Sequence, residues 1–120
     1  MSHIVTVQTK LRDLAAIAAA CQRLGLAAPT QGTACLFSAE VTGVLVQLPD
    51  WQYPMVIDTS SGEVRYDTYE GRWGEETHLH RFLQAYAVER AKREAQHKGY
   101  AFSEQQLQDG SIRLEIREGA

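Results

Sequence analysis

A long segment with helical periodicity separates two regions in which apolar and polar residues alternate. Leu79, Phe82 and Tyr86 recur at three- and four-residue spacing within the segment from Glu75 to Lys98, which is typical of an amphipathic helix. The regions on either side alternate with a period of two, which is typical of half-buried strands. Elements of these two kinds bury their apolar residues together when the helices pack on a sheet.

The N-terminal residues show the same change of period over a shorter length. Residues 3–9 alternate as a strand. Asp13 is placed to cap a following helix, because its carboxylate can accept the free amide hydrogens of the first turn. Gly25 is placed to end this helix. The predicted apolar stripe of the helix comprises Leu14, Ile17, Ala18, Cys21 and Leu24.

The predicted element order is β-α-β-β-β-β-α-β-β, in a single domain that covers residues 1–120. This order predicts an α+β two-layer sandwich, with an antiparallel sheet and two helices on one face. It is a ferredoxin-like variant, a split βαβ plan with a longer meander of strands in its centre. In the last strand we expect Ile112, Leu114 and Ile116 to face inward. The residues expected to face water are Arg113, Glu115 and Arg117.

Composition limits the class of protein. The 120 residues carry 12 Lys and Arg against 15 Asp and Glu, a net charge of -3, which argues against the basic face that nucleic-acid binding requires. No apolar run is long enough to span a bilayer, and residues 1–4 lack the features of a signal peptide. We therefore expect a cytoplasmic protein that binds neither nucleic acid nor membrane.

Cys21 and Cys35 show no motif spacing, and we expect buried thiols rather than a disulfide.

Several short motifs resemble a known family. They are Met1-Ser2-His3, Thr9-Lys10-Leu11-Arg12-Asp13, the meander from Tyr53 to Trp73 closed by Trp73-Gly74, Phe82-Leu83-Gln84, Tyr86-Ala87, Gly99-Tyr100 and the segment from Asp109 to Leu114. Together they resemble the Ycf-thirty-five-like group of cyanobacteria, red-algal plastids and other bacteria. The group has no established activity, so the resemblance implies a fold and a compartment. Some of its genes lie beside genes for AAA+ ATPases, which implies an accessory or adaptor role for such an ATPase.

The histidines and acidic residues show no pattern typical of a catalytic or metal site. His78 and His80 point about 200° apart on a helix, so they cannot bind one metal from the same face. Asp58, Asp67 and Glu70 fall at strand ends and turns, where such side chains usually make local hydrogen bonds. No catalytic triad order, phosphate-binding loop or dinucleotide motif is present. We predict no catalytic residue, no metal ligand and no cofactor.

Aromatic residues are concentrated in the centre of the chain. Trp51, Tyr53, Tyr66, Tyr69 and Trp73 lie within one stretch, interleaved with acidic residues. Tyr and Trp are the usual anchors of recognition surfaces, but they also fill the space between a sheet and its helices. Both interpretations stay open from the sequence. The candidate partner-binding residues are Trp51, Tyr53, Tyr69 and Trp73.

Two functional hypotheses follow. The first is a non-enzymatic accessory or protein-interaction domain that binds another protein, or a second copy of itself, through an open face or edge of the sheet. Gln8, Gln47, Arg65, Arg113 and Glu115 would lie on or near that interface. The alternative is a small-molecule-binding or catalytic domain with a pocket between the central meander and the second helix. The residues of that pocket would be Tyr66, Trp73, His78 and Tyr86.

Overall fold

Seven strands and two helices make up the part of the chain that the computed structural model describes, residues 4–7, 10–36, 39–68 and 71–118. In chain order they are β1 (Ile4–Val7), α1 (Leu14–Arg23), β2 (Thr30–Cys35), β3 (Glu40–Val46), β4 (Met55–Asp58), β5 (Glu63–Asp67), α2 (Glu76–His97), β6 (Ala101–Gln106) and β7 (Ile112–Arg117). The predicted order of elements and the α+β class are confirmed. Within these residues, neither helix combines the length and the apolar character that a membrane crossing requires.

Five strands form one antiparallel sheet in the order β1-β5-β4-β3-β2. Strands β2 to β5 form a meander in which each strand pairs with the next, and β1 pairs with β5. Because every neighbour is antiparallel, the two edge strands β1 and β2 run parallel to each other with three strands between them. Helix α1 connects these two edges, so the arrangement is an extended form of the split βαβ plan.

Both helices pack on the same face of this sheet and form the main core. Alternate residues of β3, β4 and β5 point to this face, as the pleat of a strand requires. Phe82 is fully buried in this core, which contributes about 1.5–3 kcal/mol of stability through burial of its ring. The other large side chains of the cluster include Ile17, Val44, Val46, Leu48, Trp51, Met55, Ile57, Val64, Tyr66, Leu79 and Tyr86.

Helix α1 buries a stripe that only partly matches the predicted one. Its cap is as expected, since the Asp13 carboxylate accepts a hydrogen bond from the Ala16 amide at 3.2 Å. Leu14 is 52% exposed, and Leu24 is also exposed, because they stand at the two ends of a ten-residue helix. Residues of α2 lie beside both leucines but leave them open to solvent. Ala18 is exposed as well. Ile17 and Cys21 are buried as predicted, and Ala16 and Ala20 are buried beside them.

The last two strands form a separate two-stranded hairpin that packs on α2. Its turn contacts the helix where the Gln84 side-chain amide donates to the Gly110 carbonyl at 3.3 Å. Farther along, the Lys92 ammonium lies 3.4 Å from the Glu104 carboxylate and 5.6 Å from the centre of the Phe102 ring. Polar contacts therefore attach the hairpin to the helix, and its apolar residues Phe102, Ile112 and Leu114 are half-buried.

The prediction that Ile116 faces inward is wrong. Arg113, Glu115 and Arg117 are exposed as expected, and Leu114 is half-buried. Ile116, however, is 45% exposed. Its neighbour across the hairpin is Phe102, and among the described residues no third strand lies beside β7 to cover its other side.

Candidate functional site

The two faces of the main sheet are covered unequally. Both helices lie on one face, and the opposite face, here called the back face, carries a smaller apolar cluster of its own. Val56 of β4 lies between the core residues Met55 and Ile57 and therefore points to the back face. The back-face cluster comprises the buried residues Ala34, Leu36, Val41 and Val56 and the half-buried residues Leu45 and Tyr53.

A pair of aromatic rings borders this cluster. The rings of Tyr53 and Trp73 meet edge to face, with their centroids 5.5 Å apart and their planes at 78°. The loops that carry them are joined by the backbone, because the Gln52 amide donates to the Trp73 carbonyl at 2.8 Å. The Trp73 amide in turn donates to the Thr68 carbonyl at 2.8 Å. Both rings are half-buried, so each presents an edge to solvent beside the back-face cluster.

Two of the four candidate partner-binding residues, Tyr53 and Trp73, thus lie at this surface, and Trp51 does not. Trp51 is only 5% exposed and its indole nitrogen donates to the Glu75 carbonyl at 2.9 Å. The interpretation of Trp51 as a surface anchor is wrong, because its ring packs against Tyr66 in the main core with centroids 5.4 Å apart. Tyr69 lies outside the described residues.

The alternative pocket is not assembled from its predicted residues. Tyr66 is buried beside Trp51, and Trp73 packs on Tyr53 at the back face. The hydroxyl of Tyr86 donates to the Lys10 carbonyl and accepts from the Asp13 amide, both at 3.2 Å. These contacts occupy Tyr86 in joining α2 to the start of α1. His78 is half-buried at a small cavity of about 110 Å³ lined by Leu24, Leu26, Leu48, Pro49 and Arg81.

The edge strand β2 adjoins the back-face cluster and is unusually neutral. Its six residues are Thr30 to Cys35, with no charge and no proline. Natural proteins commonly protect an exposed sheet edge with charged residues or proline, because unpaired backbone groups there can pair with another chain. Within the described parts of the chain, no strand pairs with the outer side of β2. The edge is thus open to a further strand.

The backbone pattern identifies which groups of β2 point outward. The Leu36 amide donates to the Ala39 carbonyl at 2.8 Å, which closes the β2–β3 hairpin. Hydrogen-bonded pairs then alternate along the register, so Ala34 and Gly32 pair with β3. The backbone groups of Gln31, Thr33 and Cys35 therefore point away from the sheet.

Small residues keep the back face of β2 and β3 shallow. Gly32 and Gly43 lie opposite each other in the register. A Cβ atom added to Gly43 would lie 2.6 Å from the Ile57 carbonyl oxygen, whereas one added to Gly32 would meet only Leu45, at 3.7 Å. Gly43 is therefore required by close approach of β4, and Gly32 leaves open space beside the edge.

A large concave region lies elsewhere, between the start of α1 and α2. This open groove of about 1090 Å³ is lined by residues that include Lys10, Arg12 and Asp13. Partial burial opposes ionisation of Asp13, but the Ala16 amide and the guanidinium groups of Arg93 and Arg90 outweigh it, so the pKa of Asp13 is lowered. Because these partners already engage the carboxylate, the groove offers no free acid or base from Asp13 for catalysis.

Of the remaining polar candidates, Asp58 stabilises a turn. Asp58 accepts hydrogen bonds from the hydroxyl and amide of Ser60, which lower its pKa and stabilise the β4–β5 turn. Asp67 is buried at the end of β5, and Glu70 lies outside the described residues. In the described ranges, no group of three or more His, Cys, Asp or Glu side chains could hold a metal ion.

The two cysteines are free and differ in exposure. Cys21 is fully buried in the main core, and burial raises the pKa of its thiol. Cys35 ends β2 and is exposed, so the expectation that both thiols are buried is wrong for Cys35. Its position at a sheet edge, with no strand outside it among the described residues, explains the difference.

Sequence reasoning missed the β2 edge as part of the site. The available signal was its composition, since Thr-Gln-Gly-Thr-Ala-Cys is a neutral stretch without a protecting charge.

In three comparisons, no family model, no curated protein and no solved structure matched the chain. The resemblance to the Ycf-thirty-five-like group stays a prediction.

Proposed function

We propose that this chain is a non-enzymatic accessory domain that binds an extended segment of a protein partner along β2 and over the back-face cluster. The observation that supports it most is the open, uncharged β2 edge beside an apolar cluster that no described helix covers. Strand addition of this kind takes affinity from backbone hydrogen bonds and specificity from alternate side chains. The outward groups of Gln31, Thr33 and Cys35 would supply the backbone hydrogen bonds.

The apolar cluster and the aromatic pair would supply the specificity. A strand added beside β2 directs every second side chain to the back face, next to Gly32 and Ala34, where small residues leave space. Apolar side chains of the segment would cover the half-buried Leu45, and an aromatic or aliphatic residue could pack against the exposed edges of Tyr53 and Trp73. The partner segment is thus expected to alternate apolar and polar residues.

The resemblance stated above names the first partner to test, an ATPase of the AAA+ type. An adaptor of that kind would be cytoplasmic, which agrees with the absence of an apolar membrane-crossing helix within the described residues.

The experiment compares three forms of the tagged chain in pull-downs from the native lysate. Thr33→Pro removes an outward backbone N–H while leaving the hydrogen-bonded pairs of β2 with β3 intact, since proline is tolerated at a sheet edge. Thr33→Val is the matched control: it removes the 2.7 Å contact between the hydroxyls of Thr33 and Thr42 but keeps the N–H. Circular dichroism checks that both variants fold.

The proposal predicts a protein that the wild type and Thr33→Val retain and that Thr33→Pro loses by about tenfold or more, as expected for lost strand addition. Binding of the purified partner should also slow modification of the exposed Cys35 thiol. Equal retention by all three forms, or a small molecule co-purifying in place of a protein, contradicts the proposal.

A further inference from the structure

A second sheet edge, on the β6–β7 hairpin, has the pattern of a self-complementary interface. The hairpin is a two-stranded sheet that packs on α2, and among the described residues no further strand pairs with its outer edges. Strand β6 is tied to the body of the protein, because the Glu104 carboxylate pairs with Arg23 of α1 and with Lys92 of α2. In β7, by contrast, the Arg113 and Arg117 guanidinium groups both pair with Glu115 of the same strand.

The hydrogen-bonding pattern shows which backbone groups of β7 are free to bind another strand. The Leu107 amide donates to the Ser111 carbonyl at 2.8 Å and closes the hairpin. Along the register, Arg113 and Glu115 then form the hydrogen-bonded pairs with β6. The backbone groups of Ile112, Leu114 and Ile116 therefore point outward, which is the alternation that antiparallel pairing with a second β7 needs.

We propose that two copies of the chain pair antiparallel through β7, with Leu114 opposite the partner's Leu114, to form a continuous four-stranded sheet. In this register Ile112 lies opposite the partner's Ile116, so the exposed Ile116 gains an apolar neighbour on its open side. Arg113 lies opposite the partner's Glu115, and the two-fold axis repeats this pair. A two-fold axis perpendicular to the sheet keeps α2 of both copies on the same face.

The charges favour this register over its neighbours. In the proposed register Leu114 is the residue that lies opposite its own copy. If the residue one position later or earlier took that place, Glu115 would lie opposite the partner's Glu115, or Arg113 opposite the partner's Arg113. Like charges directly opposite on adjacent strands are destabilising. Pairing through β6 is disfavoured in the same way, because the equivalent antiparallel alignment would bring two copies of Glu104 together. This interface uses a different edge from the proposed function and does not depend on it.

The test is charge reversal followed by analytical ultracentrifugation over a concentration series. The wild type should show a monomer–dimer equilibrium. Arg113→Glu and Glu115→Arg each replace two attractive pairs by two repulsive ones, so each should raise the dimer dissociation constant by about tenfold or more. An equimolar mixture of the two variants should restore a dimer, because the new charges of one are opposite to those of the other. The double variant R113E/E115R should also dimerise.

Folding is a separate readout in this test. Arg113 and Glu115 are both exposed, so thermal unfolding of the variants at dilute concentration should match that of the wild type within a few degrees. A wild type that stays monomeric at every concentration overturns the proposal. A dimer that neither single variant weakens, or a mixture that stays monomeric when both single variants are folded, overturns it as well.

Discussion

The environment of Trp51 is set by a single backbone conformation. Asp50 has a positive φ of 59°, which turns the chain sharply after Pro49, and the Trp51 amide donates back to the Leu48 carbonyl at 3.2 Å. The indole is thereby directed into the core, where its ring fills the space in which a Gly74 Cβ would stand, 2.6 Å from the ring carbons. A turn at Pro49 and Asp50 is predictable from sequence. The left-handed conformation that rotates the next side chain inward is not.

The two tryptophans should therefore differ in their contribution to stability. Trp51→Ala removes a buried ring and a hydrogen bond, so we expect a loss of about 3–5 kcal/mol in the free energy of unfolding. Trp73→Ala removes a half-buried ring at the edge of the back face and should cost about 1–2 kcal/mol. Urea denaturation followed by circular dichroism measures both. Equal losses, or a larger loss for Trp73→Ala, would contradict the placement of these rings.

At the scale of elements, α1 depends on the charge of one carboxylate. Asp13 caps the helix through the Ala16 amide and pairs with Arg93 at 3.2 Å and Arg90 at 3.7 Å on α2. Its lowered pKa means that the ionised form is favoured by folding. The stabilisation is present above the pKa of the unfolded chain, about 4, and is lost as the pH falls through the lower pKa of the folded state.

Asp13→Asn isolates this contribution, because asparagine is also a good N-cap but carries no charge. At about pH 7 the variant should be less stable than the wild type by roughly 1 kcal/mol or less. The difference should shrink as the pH falls below about 4, since the wild-type carboxyl is then neutralised. Urea denaturation at several pH values gives both curves. A difference that is constant with pH would show that the carboxylate charge does not stabilise α1.

The elements differ in how far their sequences predict them. Strand β7 alternates strictly, and its exposed charges follow that pattern. For α1 the periodicity predicted buried side chains at Leu14 and Leu24, which are exposed. Periodicity identifies one face of a helix, but it does not show how much of each helix end a neighbouring element covers. The sequence of β2 holds Gly32 and mostly polar residues, so its strand conformation depends on pairing with β3 rather than on its own pattern.

The arrangement of the whole molecule depends on contacts that are distant in sequence. The chain measures 56 × 32 × 23 Å with a radius of gyration of 15.4 Å, above the roughly 14 Å typical of a compact chain of this length. Strand order places β1 beside β5, and the final hairpin outside the main sheet. Local alternation carries no information about either choice. From the sequence, the proposed protein-binding surface could be narrowed only to a face or edge of the sheet, since its place depends on which face the helices cover.

Hydrogen exchange should separate the hairpin from the rest of the molecule. Strands β3 to β5 lie in the sheet between two neighbours and cover the main core. The hairpin is a separate two-stranded sheet and contributes no residue to that core. At dilute concentration we expect peptides from 101–117 to exchange faster than those from 40–67, because local opening of the hairpin leaves the core intact. Mass spectrometry after exchange in deuterated buffer measures this order. If the two regions lose protection together, the hairpin belongs to the same cooperative unit as the core. At higher concentration, pairing through β7 would slow exchange at Ile112, Leu114 and Ile116 first, because their amides point toward the second copy.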